Sequence, residues 1–181
     1  DICFMARACT GLSRNYLISP KVKGGFCRLS NTQISVCDGQ DTTFSQWSDE
    51  HVAQGFVWRK NHVSFGIPDH DGLCLVETQL VTAFPPLTED VLRAIATPLS
   101  APHGITIATI MQDYPIADLP GTDYAVQFRL MEGGLIEKSR VFDETQFEEN
   151  YAYLLQFLFR PGRSDHFEIL RKSGEMTTDR A

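Results

Sequence analysis

The chain has 181 residues, 43% of them hydrophobic, with 16 basic and 23 acidic side chains and a formal net charge of −7. A chain of this size hides roughly 70% of its unfolded surface in a single core, so a second independent domain is not expected. No apolar run approaches the ~20 residues of a membrane-spanning helix, and an acidic body repels a phosphate backbone, which argues against direct nucleic-acid binding.

The charge is divided unevenly. Residues 1–28 hold Arg7, Arg14, Lys21, Lys23 and Arg28 against Asp1 alone, a segment charge of +4, while the rest carries 11 basic and 22 acidic side chains, or −11. The expected organisation is a basic N-terminal arm of unknown role over 1–28, one domain over 29–172 and a frayed tail over 173–181. Five cysteines, Cys3, Cys9, Cys27, Cys37 and Cys74, cannot all pair within the chain and form no C-x-x-C motif. They read as thiols in a reducing compartment, which places the protein in the cytoplasm. In an exported protein, a disulfide among Cys3, Cys9 and Cys27 would be the first to test.

In chain order, Gln33 to Cys37 reads as a short strand with Ile34 and Val36 on one face, closed by Asp38-Gly39. Ser48 then caps a helix over Ser48 to Gln54, with Asp49 and Glu50 at its positive end, Trp47 and Val52 at the positions of a hydrophobic staple, and Gly55 as a left-handed stop. Val63, Phe65 and Ile67 alternate with His62, Ser64 and Gly66 in the period of a half-buried strand. Asp71-Gly72 suits a hairpin turn, and Leu73 to Thr82 returns as a strand apolar on both faces, hence mid-sheet. After Pro85-Pro86, residues 88–96 are ambiguous, since Thr88 could cap a helix with Leu92 and Ile95 on one face. Three further strands are expected over 104–111, over 124–131 after a turn at Pro120-Gly121, and over 151–159. In the last of these the odd-numbered aromatics and Leu155 share one face. Pro161-Gly162 turns the chain into a final strand from His166 to Leu170. Strands spaced about ten residues apart, with Pro/Gly punctuation and one helix, indicate an all-β fold, mainly an antiparallel β-sandwich.

Few constellations carry chemistry. His51, His62 and His70 lie near Asp69 and Asp71, but no two histidines have a one-face spacing, so they read as polar side chains facing solvent rather than a metal site. Asp69, Asp71 and Gly72 lack the later glutamate of a calcium loop. No serine sits in a glycine elbow, and Lys23-Gly24-Gly25 and Gly133-Gly134 read as turns, so neither enzymatic activity nor a cofactor is expected. More suggestive is the run Glu132, Glu137, Asp143, Glu144, Glu148 and Glu149, interleaved with Phe142, Phe147 and Tyr151. Rings packing and carboxylates steering suit capture of a basic protein, and Asp143, Glu144, Glu148 and Glu149 are the candidate partner-binding residues. A solvated loop whose phenylalanines face the core has the same composition. Asp49 and Glu50, at the helix start, form a competing patch. Trp47 and Trp58 flank the staple and read as core packing.

The segment Trp47-Ser-Asp-Glu-His-Val-Ala-Gln-Gly-Phe56, with Trp58 and Val63-Ser-Phe-Gly66, resembles the ComJ competence family. Its members carry W-[ST]-D-E-H-V-x-Q-G-[FY], a second aromatic and V-S-F-G. The likeness runs from about Ile34 to about Phe159, includes Asp118 to Phe128, and leaves residues 1–28 uncovered. It implies a strand from Arg93 to Leu99 in the ambiguous region. It also implies a protein inhibitor of a DNA-degrading nuclease, acting as a competence regulator or as an immunity protein against a DNase toxin, by docking over the active site of a basic cognate DNase. The alternative from a different class is a β-sandwich module for a carbohydrate or small ligand, which requires exposed aromatics such as Trp47, Trp58 or Tyr153.

Overall fold

A computed structural model of the protein describes residues 5–7, 22–28, 32–41, 43–68, 73–109, 113–116, 119, 122–135 and 150–172. Two sheets face each other. The larger has seven strands in the spatial order β1 (Met5–Arg7), β2 (Val22–Arg28), β6 (Leu73–Leu80), β11 (Asn150–Pro161), β10 (Asp123–Leu135), β7 (Val91–Ser100) and β12 (Glu168–Arg171). The smaller has five, in the order β4 (Phe56–Arg59), β5 (His62–Gly66), β3 (Gln33–Asp38), β8 (Ile105–Ala108) and β9 (Asp113–Ile116). Every neighbouring pair is antiparallel except β11 with β6, which is parallel. Among the described residues the helix α1 (Asp49–Gln54) stands alone.

Alternation puts Ile95, Phe128, Leu130, Leu155, Phe157 and Phe159 on the inner face of the large sheet and Ile34, Val36, Val63, Phe65 and Ile107 on that of the small one, all 0–1% exposed. Phe65 joins the layers, stacked on Phe128 at 4.5 Å between centroids and tilted against Phe157 at 6.0 Å. Each such aromatic pair contributes about 0.5–1.5 kcal/mol beyond its buried area. The outer face of the large sheet is not bare either. Gln127 and Arg129 are each 4% exposed there, and Arg129 Nε donates to Gln127 Oε1 at 2.8 Å while its Nη2 donates to the Pro85 carbonyl. Arg160 lies 5.2 Å over the ring of Phe84.

The all-β expectation holds, and β6 lies mid-sheet between β2 and β11. Residues 91–100 form a strand, not a helix, because pairing on both sides, with β10 and with β12, outweighs a weak helical composition. Several details differ from the sequence reading. Strands β4 and β9 were not anticipated, since four residues carry too few alternations to register as a period. Gly133 and Gly134 are not a turn but part of β10, and a Cβ at Gly133 would meet the Tyr151 carbonyl oxygen at 1.9 Å. Of the strand expected over 104–111, the described part forms β8 over Ile105–Ala108 and stops before Thr109, and the last strand begins at Glu168. The closing seven residues of the basic arm, β2, pair with β6 along Lys23↔Thr78 to Arg28↔Leu73. The hairpin expected at 68–72 is not formed, because β5 and β6 belong to different sheets and the connection between them crosses from one layer to the other. Residues 69–72, the turn at 120–121, the tail over 173–181, and Cys3 and Cys9 lie outside the described residues.

The largest difference concerns β5, read as half-buried but buried at all five positions. Residues of the segment that follows β3 account for it. Ser64 Oγ, 1% exposed, lies 2.6 Å from Ser35 Oγ and donates to Ser45 Oγ at 2.8 Å, and His62 Nε2 reaches the same hydroxyl at 3.1 Å. On the other side of the ring, His62 Nδ1 stands 3.6 Å from Asp41 Oδ2, a charge contact longer than a hydrogen bond. Asp41 is held by the amide of Thr43 at 2.9 Å and faces Arg59 at 3.6 Å. His62 is thus not the surface histidine its sequence context suggested.

Burial, reinforced by Arg59, pushes the His62 imidazole below its ordinary value, and the nearby Asp41 only partly opposes this. Burial raises Asp38 and Asp41, but hydrogen bonds leave both below the usual carboxylate range, from His103 and Gln40 in one case and Thr43 in the other. A histidine with a depressed folded value binds its proton more readily when unfolded, so stability is present above the ordinary value of about 6.5 and falls as pH drops through the folded value. The two aspartates lose their contributions only below about 3.8, in a separate window. Thermal unfolding is expected to show a decline in melting temperature between pH 7 and pH 5 that His62→Gln flattens. Parallel curves for the two proteins would refute the assignment.

Candidate functional site

The signature segment builds one face of the molecule from the backbone outward. Ser48 is extended (φ −94°, ψ 170°), and its hydroxyl accepts from the His51 amide at 3.4 Å while the Ser48 amide donates to His51 Nδ1 at 3.2 Å. This reciprocal capping uses histidine where a glutamate or glutamine is usual. Asp49 and Glu50 follow in the first turn, exposed, where the helix dipole favours negative charge. Gly55 ends the helix at φ 86°, its amide donating to the His51 carbonyl at 2.8 Å, and its own carbonyl accepts from Gly66 at 2.9 Å. The chain then continues directly into β4.

Both tryptophans are half-buried and tied down. Trp47 Nε1 donates to Gln33 Oε1 at 2.5 Å, and its ring lies 3.4 Å from the place a Cβ at Gly66 would occupy. Trp58 Nε1 donates to the Pro98 carbonyl at 2.7 Å, and its ring meets Phe167 edge-on at 4.6 Å. Both therefore serve packing, as read from the sequence, and each carries its polar atom to a partner. Phe167 also stacks with Phe56 at 6.4 Å, and it is 45% exposed along the open side between β4 and β12.

Beneath Gly55 lies a residue that the sequence reading passed over. Arg93, on β7, is 1% exposed and points inward with Ile95, opposite Leu130 of β10. A Cβ at Gly55 would stand 2.1 Å from its Nη1. Nη1 has no hydrogen-bond partner, and burial lowers the pKa of the guanidinium. The signal was available, because Arg93 occupies the apolar phase of the strand Val91, Ile95 and Leu99 share.

Further carboxylates lie at the same end of the sandwich. Glu89 and Asp90 immediately precede β7, and Glu132 follows Met131, which pairs with Val91; all three are exposed. Strand β10 also ends and β11 begins there, with Leu135 paired to Asn150. Asp143, Glu144, Glu148 and Glu149, the other candidate residues, are outside the described residues, as are Glu137, Phe142 and Phe147. Of the six candidates the structure therefore places Asp49 and Glu50, at adjacent positions on one turn.

Chemistry has little to work with here. Asp41, His62 and Ser64 follow the order of a hydrolase triad, but Ser64 is 1% exposed with its hydroxyl engaged by Ser35, Ser45 and His62, which leaves no approach for a substrate. Cys37 and Cys74 are buried, and burial pushes both thiols up to about 12, far from a nucleophilic thiolate. Among the described residues no group of three or more His, Cys, Asp or Glu side chains could hold a metal ion.

The family model of Competence protein J (ComJ) matches residues 27–160. Among solved structures the chain is similar to the crystal structure of ComJ from Bacillus subtilis, described as an inhibitor of the DNA-degrading activity of NucA. The two share 16% identity with a TM-score of 0.53, over 88% of this chain and 98% of that one. A search of the curated proteins found no match. At that identity the structural likeness speaks for the fold, and the family model, which spans most of the chain and all of the signature segment, speaks for descent: the chain belongs to the competence protein J family.

Proposed function

We propose that the protein inhibits a DNA-degrading nuclease in the cytoplasm by occlusion, laying an acidic surface over the basic groove that the nuclease offers to DNA and supplying no chemistry of its own. The observation that carries the reading is the capped helix α1, which holds Asp49 and Glu50 exposed on a rigid platform within a family whose Bacillus subtilis member is described as a nuclease inhibitor. A body with 22 acidic against 11 basic side chains beyond residue 28 repels DNA and attracts a protein shaped to bind it. Asp143, Glu144, Glu148 and Glu149 would extend that surface. Helix and sheet fix the geometry of Asp49 and Glu50, so they can meet a cationic partner without a large ordering cost.

The same interface serves a competence regulator or an immunity protein against a DNase toxin, and the gene beside this one distinguishes them. A carbohydrate-binding platform needs flat exposed rings, and the two indoles here are hydrogen-bonded and packed.

Purified protein added to the nuclease encoded beside it is expected to abolish DNA cleavage. Inhibition should weaken with salt, as the Debye length shrinks from ~10 Å at 0.1 M to ~3 Å at 1 M. A folded protein that leaves the neighbouring nuclease active would reject the reading. Within it, Asp49→Lys with Glu50→Lys should slow association toward the neutral range of ~10⁵ to 10⁶ M⁻¹s⁻¹. Stopped-flow binding would assign the surface. Loss of association on reversing Asp143, Glu144, Glu148 and Glu149 instead, with the helix pair silent, would move the interface to that segment.

A further inference from the structure

We propose that Arg93 is the positioning residue of the signature helix: its guanidinium, seated beneath Gly55 at the carbonyl end of α1, fixes the orientation in which Asp49 and Glu50 are presented. The consequence for a nuclease partner rests on the inhibitory reading above, whereas the positioning itself belongs to this chain alone.

Three observations point the same way. The guanidinium occupies the volume a side chain at residue 55 would need, with the constructed Cβ 2.1 Å from Nη1, 2.8 Å from Cζ and 3.4 Å from Nη2. Glycine is therefore required at that position twice, once for its φ of 86° and once to admit the arginine. Second, Arg93 is 1% exposed and Nη1 lacks a hydrogen-bond partner, in a setting of Ile95 and Leu130. Stability does not account for such a residue, because replacing a buried charge by an apolar side chain of similar volume is often neutral or stabilising. Third, the charge lies at the end of α1 where unsatisfied carbonyls concentrate negative potential, so the cation and the helix end attract one another. Beside it, the Gly66 to Gly55 backbone bond and the Trp47 ring just before the helix also tie this segment to the sheets. A third tie fixes its tilt.

The test begins with the protein alone. In Arg93→Met, amide hydrogen exchange at Val52 and Gly55, whose N–H groups donate to Ser48 and His51, is expected to quicken about tenfold. Exchange at Phe128, in the central strand, should stay as in the unaltered protein, and the melting temperature should be equal or higher. Arg93→Lys keeps the charge and should restore slow exchange, which a purely volume-filling role would not require. Should Arg93→Met fail to fold, Gly55→Ala, which drives a methyl group into the guanidinium, should loosen the same two amides. Unchanged exchange at Val52 and Gly55 in Arg93→Met, or in Gly55→Ala where it replaces it, would overturn the proposal, as would equal loosening by Arg93→Lys. With the neighbouring nuclease in an inactivated form, Arg93→Met should dissociate about tenfold faster at nearly unaltered association rate, since orientation acts after encounter. Failure of the unaltered protein to bind would count against the inhibitory reading and leave the exchange result to decide the positioning.

Discussion

Strand β5 is buried on both faces, and the rest of the molecule is arranged around that constraint. Its inward side chains, Val63 and Phe65, pack into the layer between the sheets, where Phe65 stacks on Phe128. Its outward ones, His62, Ser64 and Gly66, would leave polar groups facing solvent in an ordinary two-layer fold. Here the segment after β3 covers them, bringing Asp41, Ser45 and Trp47 as partners. Buried polar groups without partners cost about 1–3 kcal/mol each, so a cover that accepts from the Ser64 hydroxyl and sets a carboxylate beside the imidazole is worth more than its apolar area. The same cover delivers the chain to Ser48 and so determines where α1 begins.

Stability and presentation are separated in this design. The aliphatic and aromatic layer holds the sheets, and it contains no exposed charge. Of the exposed carboxylates, Asp49 and Glu50 sit on the capped helix and Glu132 on β10, where capping or strand pairing already fixes the backbone. Side chains held this way can be altered in sign without touching the core. Arg93 departs from this separation, a charge placed where the layer should be apolar, directly below the helix that carries the signature.

Two buried arginines on neighbouring strands make the contrast clear. Arg129 faces outward from the large sheet and is answered by Gln127 and by the Pro85 carbonyl, so its burial anchors the crossing segment 82–90. Arg93 faces inward and has no such answer at Nη1. Identical residue types one position from one another in register thus do different things, because pleating sends one to each face.

Local signals determined a good deal from the sequence alone. Ser48, Asp49, Glu50 and Gly55 specify a short helix and its stop through bonds made within a few residues, and the alternation of Tyr124 to Leu130 specifies a strand with one inward face. Such features need no knowledge of the partner strand. The signature around Trp47 carried the family, and with it the strand at 93–99 that composition left ambiguous. Tertiary structure alone decided the rest. Four-residue strands such as β4 and β9 exist because neighbours supply their hydrogen bonds, and the parallel pairing of β6 with β11 joins segments more than seventy residues apart. Whether His62 meets water depends on Asp41 and Ser45 folding back over it. The candidate site divides the same way: Asp49 and Glu50 were legible as a capped helix start, while the role of Arg93 appears only when β7 is laid beneath Gly55, a contact between residues with no local relation in the chain.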